Sequence, residues 1–423
     1  MLIEFSIQNH RSYAARQTFS MVASNTQAQR RGEEYASATG NNAVPYVLRE
    51  ACLFGANGSG KTALIDGVKF MGEFVENSFK DTHSTKSRTP FLYHSQWRDA
   101  PSEFEVVFLH GESLFQYGFA LDSDRIHEEW LFERPNDTGR LRQIFTREYD
   151  AKTESYSWEI SPTHLKGERE SWKAQTRDDA LFLSTAVHLN AEGLERPFDW
   201  LTRGMREIQE IENLSPFTAS RIAEDDDWKA RVLDFLQGAD LFFADIEVQE
   251  INFFDQKQFR QMPEDAQAQL KSLVPDDAKT LAIRSLRKDD AQNNVGLDWH
   301  EESSGTQILF ALAGPILDVL HNGLTLFVDE LNTRLHPLAF RYITQLFCNP
   351  ETNPHNAQLV FTTHDVTVAD QDCISKEQIW LVEKGDDLAS ILKPFSDFKT
   401  RDTGIFRRGY LQGRYGAVPR LAG

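Results

Sequence analysis

An α/β fold is predicted for this sequence of 423 residues: a mixed sheet with a phosphate-binding loop, plus an antiparallel β lobe, interrupted by a compact helical insertion. Three observations carry that expectation. The stretch LFGANGSGKTALI, residues 53–65, follows the apolar run Val47-Leu48 and Ala51-Cys52-Leu53-Phe54 and precedes apolar residues at helical spacing from Thr62 to Phe70, so its glycines fall between a buried strand and a helix. Two further very apolar segments, Leu324 to Val328 and Leu359 to Thr362, read as buried strands. Phe104, Val106 and Phe108, then Phe115, Tyr117 and Phe119, alternate with other residues on either side of the turn His110-Gly111-Glu112, the pattern of antiparallel strands with one wet face.

Gly55, Gly58, Gly60, Lys61 and Thr62 match G-x-x-x-x-G-K-[ST]. Glycine lets backbone N–H groups turn inward around phosphate oxygens, and the helix that follows presents its positive end. Lys61 is placed to reach β- and γ-phosphates and Thr62 to put its hydroxyl on magnesium; Asn57 and Ser59 complete the candidate nucleotide-binding loop. Thr325-Leu326-Phe327-Val328 runs into Asp329 and Glu330. At a nucleotide site this puts Asp329 against the magnesium shell and Glu330 beside the γ-phosphate, where a carboxylate orients or deprotonates water. Strands with acidic ends are common, and it is the partnership with residues 55–62 that gives this one its meaning.

Two other segments read in two ways. Glu302-Ser303-Ser304-Gly305-Thr306-Gln307 precedes an apolar helix pattern that begins near Ile308, and is either an N-cap or an anion site built from a hydroxyl and free N–H groups at a helix start. His364, after the strand ending in Phe361-Thr362-Thr363, is either a structural hydrogen-bonding residue or a catalytic one.

Composition limits the classes of function. Sixty-four acidic against 45 basic residues give a net charge of −19, which argues against a general nucleic-acid-coating surface and confines any DNA contact to a local basic patch. Cys52, Cys348 and Cys373 form no C-x-x-C pair, so neither a zinc cluster nor a disulfide framework is expected. The opening MLIEFSIQNHRSY alternates like a strand and carries Glu4 early, unlike a secretion signal. Ile308 to Leu320 is expected to be broken at Gly314 and Pro315 and too short to span a bilayer. A cytoplasmic protein without membrane contact is expected.

Three regions are expected: 1–160, an N-terminal lobe with the phosphate loop; 161–300, the helical insertion, in which Trp200 to Ile211 and Trp228 to Leu236 carry apolar residues at helical spacing; and 301–423, a C-terminal lobe. The last region ends in a basic tail with Lys399, Arg401, Arg407, Arg408, Arg414 and Arg420 against Asp402. With Tyr410 and Tyr415 it reads either as a solvated face or as a docking surface for an acidic partner, DNA or a phage protein. No H-E-x-x-H, zinc spacing or G-x-S-x-G appears, so ATP hydrolysis is the one chemistry the residues support.

The order of phosphate loop, Ser-Ser-Gly, Asp-Glu and a histidine after a strand resembles the ABC-type ATPase head. That resemblance implies that Ser304 and Gly305 of one protomer cap the ATP held by another, that Glu330 activates water, that His364 is the switch histidine contacting the γ-phosphate, and that Leu331-Asn332-Thr333-Arg334 links the two sites. Asn332 stands where many relatives carry aspartate, and Thr306 where a second signature glycine is usual. Gln96 is the candidate Q-loop residue. Ile3-Glu4-Phe5 with Asn9-His10-Arg11-Ser12-Tyr13 is similar to the start of RecF, SMC and OLD-type heads, with His10 in place of the usual aromatic residue. The stretches DELNTRLHP, ESSGTQ and GYLQGRYGAVP look like the stand-alone ATP-binding subunits of bacterial anti-phage operons of the RloA and AriA kind.

What the resemblance implies is an ATPase using ATP and Mg2+, assembled as a homodimer or higher homo-oligomer. It would be the switch or sensor subunit of a toxin-antitoxin-like abortive-infection system that controls a separately encoded toxic effector, a nuclease in many relatives. A phage-derived trigger is left open. The alternatives are a RecF/SMC-like DNA-repair ATPase and, with less support, an OLD-type nuclease.

Overall fold

The strand that enters the glycine loop, Glu50–Phe54, is buried at every position. In the computed structural model, which describes residues 1–370, 374–399 and 406–419, it lies inside a six-stranded sheet. The order is Met205–Ile208, Thr325–Val328, Gln358–Thr362, Glu50–Phe54, Ile379–Lys384, Ser390–Pro394. The first five are parallel and the last is antiparallel. Thr325–Val328 and Gln358–Thr362 are also buried throughout, which is why they read as unbroken apolar runs: a parallel strand covered on both faces has no wet side to mark with polar residues.

The antiparallel lobe is a seven-stranded sheet in the order Ser155–Ile160, Arg142–Asp150, Ile126–Pro135, Ser113–Leu121, Ser102–His110, Leu2–Gln8, Gln17–Ser20. The alternation in the sequence is realised as cross-strand pairs: Phe104 faces Phe119, Val106 faces Tyr117 and Phe108 faces Phe115. All six side chains are buried. The helix Lys61–Asn77 contributes Ile65, Phe70 and Phe74 to one apolar core that also takes in Phe5 and Phe104 of the antiparallel sheet and Phe327 and Val360 of the parallel one. A Cβ on Gly67 would lie 2.4 Å from Ile7 Cδ1, so the missing side chain is what lets this helix approach the strand.

The chain divides into two compact units, one of residues Met1–Gln209, Leu320–Leu331 and Thr344–Gly423, the other of Glu210–Val319 and Asn332–Ile343. Residues 161–300 therefore differ from the expected helical insertion. Their first part, with helices Arg169–Gln175, Phe182–His188 and Glu195–Arg203, belongs to the first unit. The stretch from Trp200 to Ile211, expected as one helix, stops at Gly204, whose N–H closes the last turn on Trp200 O at 2.7 Å; Met205–Ile208 then pairs in parallel with Thr325–Val328. The second unit contains the helices Ser215–Glu224 and Asp226–Gly238 and an antiparallel sheet of Asp245–Asn252, Lys279–Lys288 and Asn294–Asp298. Those strands are partly exposed and carry ion pairs across the sheet, such as Arg284 with Glu247 and Asp298, so their charge hides the period-two pattern.

Helix Ser304–Asn322 runs through Gly314 and Pro315 without a break, contrary to expectation. Proline lacks the N–H that would bond to the carbonyl four residues earlier, here that of Ala311. Thr218 supplies the missing donor: its Oγ1 donates to Ala311 O at 3.3 Å and accepts from Gly314 N at 3.1 Å. A Cβ on Gly314 would lie 2.9 Å from Thr218 Cα, so glycine is what admits the neighbouring helix. Among the described residues no helix is long and apolar enough to cross a membrane.

Thr218→Val, which keeps the shape and removes the hydroxyl, is expected to destabilise the second unit by about 1–3 kcal/mol, the cost of a buried carbonyl without its donor. Thr218→Ser should recover most of it. Urea unfolding followed by tryptophan fluorescence reads the difference; equal midpoints for all three proteins would show that Pro315 needs no such support.

Candidate functional site

The loop between Phe54 and Lys61 uses each of its glycines for a different reason. A Cβ on Gly55 would sit 2.4 Å from Val382 O and 2.5 Å from Ser59 Oγ, so no side chain fits. Gly58 has open space but a φ of +72°, and Gly60 combines a φ of +114° with a Cβ position 2.2 Å from Ser390 Oγ, conformations that disfavour L side chains. Asn57 is exposed and Ser59 buried. The Ser59 hydroxyl is a buried polar group without a hydrogen-bond partner, and it lies inside the loop beside Gly55. Lys61 is buried and donates to Gly55 O at 2.9 Å and Ala56 O at 3.2 Å. Burial lowers its pKa, while Asp329 and Glu330 pull the other way.

The parallel register brings the remaining groups of the first unit to the same edge. Val328 pairs with Phe361, and Thr362 with Leu53, so the residues that follow these strands emerge side by side. Asp329 accepts from Thr62 Oγ1 through Oδ2 and from Thr362 Oγ1 through Oδ1, both at 2.6 Å. Thr362 Oγ1 in turn accepts from Glu330 N at 2.7 Å. Glu330 has a φ of +49°, and its Oε1 lies 3.7 Å from His364 Nε2. Burial lowers the pKa of His364, with Lys61 adding to the effect and Glu330 and Asp329 opposing it, so the imidazole is held neutral at neutral pH.

The structure also assigns a physical role to the segment Asn9–Tyr13, whose motif was legible but whose contacts were not. Arg11 pairs with Asp66 through two nitrogens, and His10 Nε2 lies 2.9 Å from the same carboxylate. Asp66 is on the helix that follows the loop. Tyr13 donates its hydroxyl to Gly60 O at 3.0 Å. Ser390 Oγ donates to Ser59 O at 2.5 Å, with Ser12 Oγ 2.8 Å away, and Ser390 N donates to Ser12 O at 2.7 Å. Two loop carbonyls, those of Ser59 and Gly60, are thus tied to side chains outside the loop. Because Ser390 follows Ser59 by 331 residues, no local pattern announces the link.

Ser304 and Gly305 belong to the second unit. The capping side chain is that of Ser303, which accepts from Thr306 N at 3.2 Å; Ser304 is the exposed first residue of the helix. Gln96 is exposed on the four-residue helix Ser95–Arg98. Tyr410 and Tyr415 of the tail are buried anchors: Tyr410 packs 5.7 Å from Phe54, and Tyr415 4.9 Å from Phe395. Burial pushes the Tyr410 phenol up to about 12. Lys399, Arg407, Arg408 and Arg414 are exposed, while Arg401, Asp402, Arg420 and Cys373 lie outside the described residues. A cavity of about 1240 Å³ opens beside the loop, lined by Gly55, Asn57, Ser59 and His364 and by tail residues that include Tyr410, Leu411 and Gly413.

A glycine loop joining a buried parallel strand to a helix, with acids at the end of another parallel strand of the same sheet, defines the P-loop ATPase class. The family model described as "AAA domain, putative AbiEii toxin, Type IV TA system" matches residues 51–370, most of the chain, and the chain belongs to that family. No curated protein matches it.

Ser390→Ala removes the donor to Ser59 O. It is expected to weaken binding of a nucleoside triphosphate by about fivefold to tenfold, the loss of roughly one hydrogen bond of about 1 kcal/mol, with little change in melting temperature. Calorimetric titration at fixed magnesium measures it; unchanged affinity would show that the loop needs no such tie.

Proposed function

We propose that the chain binds ATP with Mg2+ at residues 55–62 and hydrolyses it at ABC-type composite sites between copies, and that this cycle switches a separately encoded toxic effector in an anti-phage, abortive-infection system. The observation that carries the ATPase reading is the Asp329 carboxylate held between Thr62 and Thr362 directly behind the loop. The residues present fit the cofactor. Thr62 and Asp329 offer two hard oxygens 2.6 Å apart, close to the spacing of about 3 Å between neighbouring vertices of a magnesium octahedron, and the orphan hydroxyl of Ser59 awaits an acceptor or donor. Magnesium, when bound, neutralises charge on the phosphate oxygens.

In this reading Lys61 exchanges the carbonyls of Gly55 and Ala56 for phosphate oxygens, which form stronger charge-assisted bonds. Glu330, turned out of its strand by a left-handed backbone, orients the attacking water and takes its proton. His364, neutral, hydrogen-bonds at the γ-phosphate. Ser304 and Gly305 of another copy close the site with a hydroxyl and helix N–H groups. The defence assignment is supported by the toxin-antitoxin wording of the family description and by the resemblance of DELNTRLHP, ESSGTQ and GYLQGRYGAVP to RloA- and AriA-like subunits. An effector is controlled only if it binds the ATP-closed and open states with unequal affinity.

Lys61→Ala should weaken ATP binding by at least about a hundredfold, as expected on losing charge-assisted bonds to phosphate, with the fold intact; tight binding by calorimetry would refute the loop assignment. Glu330→Gln should bind ATP normally, turn over about 100- to 1,000-fold more slowly and accumulate a closed assembly with ATP, visible by light scattering. The pKa of His364 is lowered, so protonation of the folded site is disfavoured and turnover should fall only as pH drops below the ordinary histidine range. His364→Gln should flatten that acidic limb, and an unchanged limb would place the titration elsewhere. For the cellular role, the chain is expressed with and without its genomic neighbour and challenged with a phage panel. Protection by the pair, lost with Lys61→Ala, is the expected result. Protection by the chain alone, or a repair defect without a phage phenotype, would move the reading to an OLD-type nuclease or a RecF-like ATPase.

A further inference from the structure

The charge at the proposed site does not balance within one copy. Residues 55–62 contain a single cation, Lys61, and the acids Asp329 and Glu330 sit beside it, while His364 is held neutral. A triphosphate adds further negative charge, and the transition state of phosphoryl transfer spreads that charge over the γ-phosphate oxygens, where an additional cation is worth most. The second unit offers one. Its segment 332–343 carries Arg334, whose backbone adopts a φ of +59°, a conformation uncommon for a residue with a Cβ. The carbonyl of Arg334 lies 3.3 Å from where a Cβ on Gly305 would be, so the arginine peptide packs on the Ser304–Gly305 turn. A cavity of about 550 Å³ is lined by Ser303, Gly305 and Thr306 together with Arg334 and His336. Arg334 is the one permanent cation among the described residues that line it.

We propose that Arg334 is a catalytic residue acting in trans, its guanidinium reaching the γ-phosphate of a nucleotide held by the loop of another copy. This rests on the composite-site reading above and adds to it a charge that the serine and glycine cannot supply. Arg334 Nη1 pairs with Glu212 at 3.2 Å, with both side chains about half exposed, at 53% and 52%. Solvent screens such a pair, which therefore holds the arginine only loosely. A phosphate offers the same planar fork two acceptors at once, so the guanidinium exchanges a weak partner for a stronger one when the copies close.

The test uses the full chain and ATP. Arg334→Ala should lower kcat by about a thousandfold, with ATP affinity and melting temperature near wild type. Glu212→Ala, which removes the ion pair and keeps the guanidinium, should stay within about twofold of wild-type kcat because a half-exposed pair contributes little. Arg334→Ala and Lys61→Ala chains, each inactive, should regain about a quarter of wild-type activity when mixed in equal amounts, because half the random dimers are mixed and each has one complete site. Ser304→Arg mixed with Lys61→Ala is the parallel control for the composite site. The proposal is overturned if Arg334→Ala keeps a third or more of wild-type kcat, if Glu212→Ala loses activity to the same extent, or if the Arg334→Ala mixture stays inactive while the Ser304→Arg mixture recovers. Failure of both mixtures in the presence of an active wild type would overturn the composite site itself, and the proposal with it. A wild type that does not bind ATP would instead overturn the nucleotide reading.

Discussion

The arrangement around the glycine loop depends on one carboxylate. Asp329 accepts from Thr62 at the start of the loop helix and from Thr362 at the end of the neighbouring strand. Both are short charge-assisted bonds, the strong kind. Three chain segments meet at that one side chain, Thr62 lying 267 residues and Thr362 33 residues away along the chain, and they do so because parallel strands in register end at the same level. Thr362 carries the constraint further by accepting from the N–H of Glu330. The backbone conformation of the second acid is thus set by the residue that holds the first.

A consequence is that the loop is held by the protein's own hydrogen bonds. Lys61 donates to the carbonyls of Gly55 and Ala56, and Ser390 and Tyr13 donate to those of Ser59 and Gly60. Non-glycine residues with positive φ cost of order 1–3 kcal/mol and persist where their surroundings over-determine them. Glu330 and Arg334 are both such residues. They fall within the five-residue stretch in which the chain leaves the acid strand, and the chain passes from the first unit to the second between Leu331 and Asn332. The acids therefore belong to one unit, and the arginine, with Ser304 and Gly305, to the other.

The tail illustrates how the same residues change meaning once packing is known. Tyr410 and Tyr415, with the surrounding arginines, read equally well as a docking surface. In the structure the two rings are buried among Phe395 and Phe406, and Tyr410, stacked on Phe406, packs at a tilt against Phe54, the last residue before the loop. Its exposed residues include Arg407, Arg408 and Arg414, and also Leu411, Gln412 and Gly413. Tyrosine's apolar ring and single hydroxyl suit it to such anchoring when the hydroxyl finds a partner, here Ala417 O at 3.0 Å.

By itself the sequence determined what is local. Glycine spacing, the lysine and threonine after it, the apolar runs of the buried strands and the alternation of Phe104, Val106 and Phe108 are features of a few consecutive residues, and their physics is complete within that span. The family and its loop follow from them. Tertiary structure alone decided which strand ends meet, and so that Thr362 and not another hydroxyl completes the shell of Asp329, that Ser12 and Ser390 hold the loop, and that Thr218 restores the bond Pro315 removes. It also decided that Met205–Ile208 is a sheet strand and not the end of a helix, and that charged, half-exposed strands occupy part of residues 161–300. Hydrogen bonds between residues tens to hundreds of positions apart leave no period in a sequence, because either partner alone is an ordinary serine or threonine until the fold supplies the other.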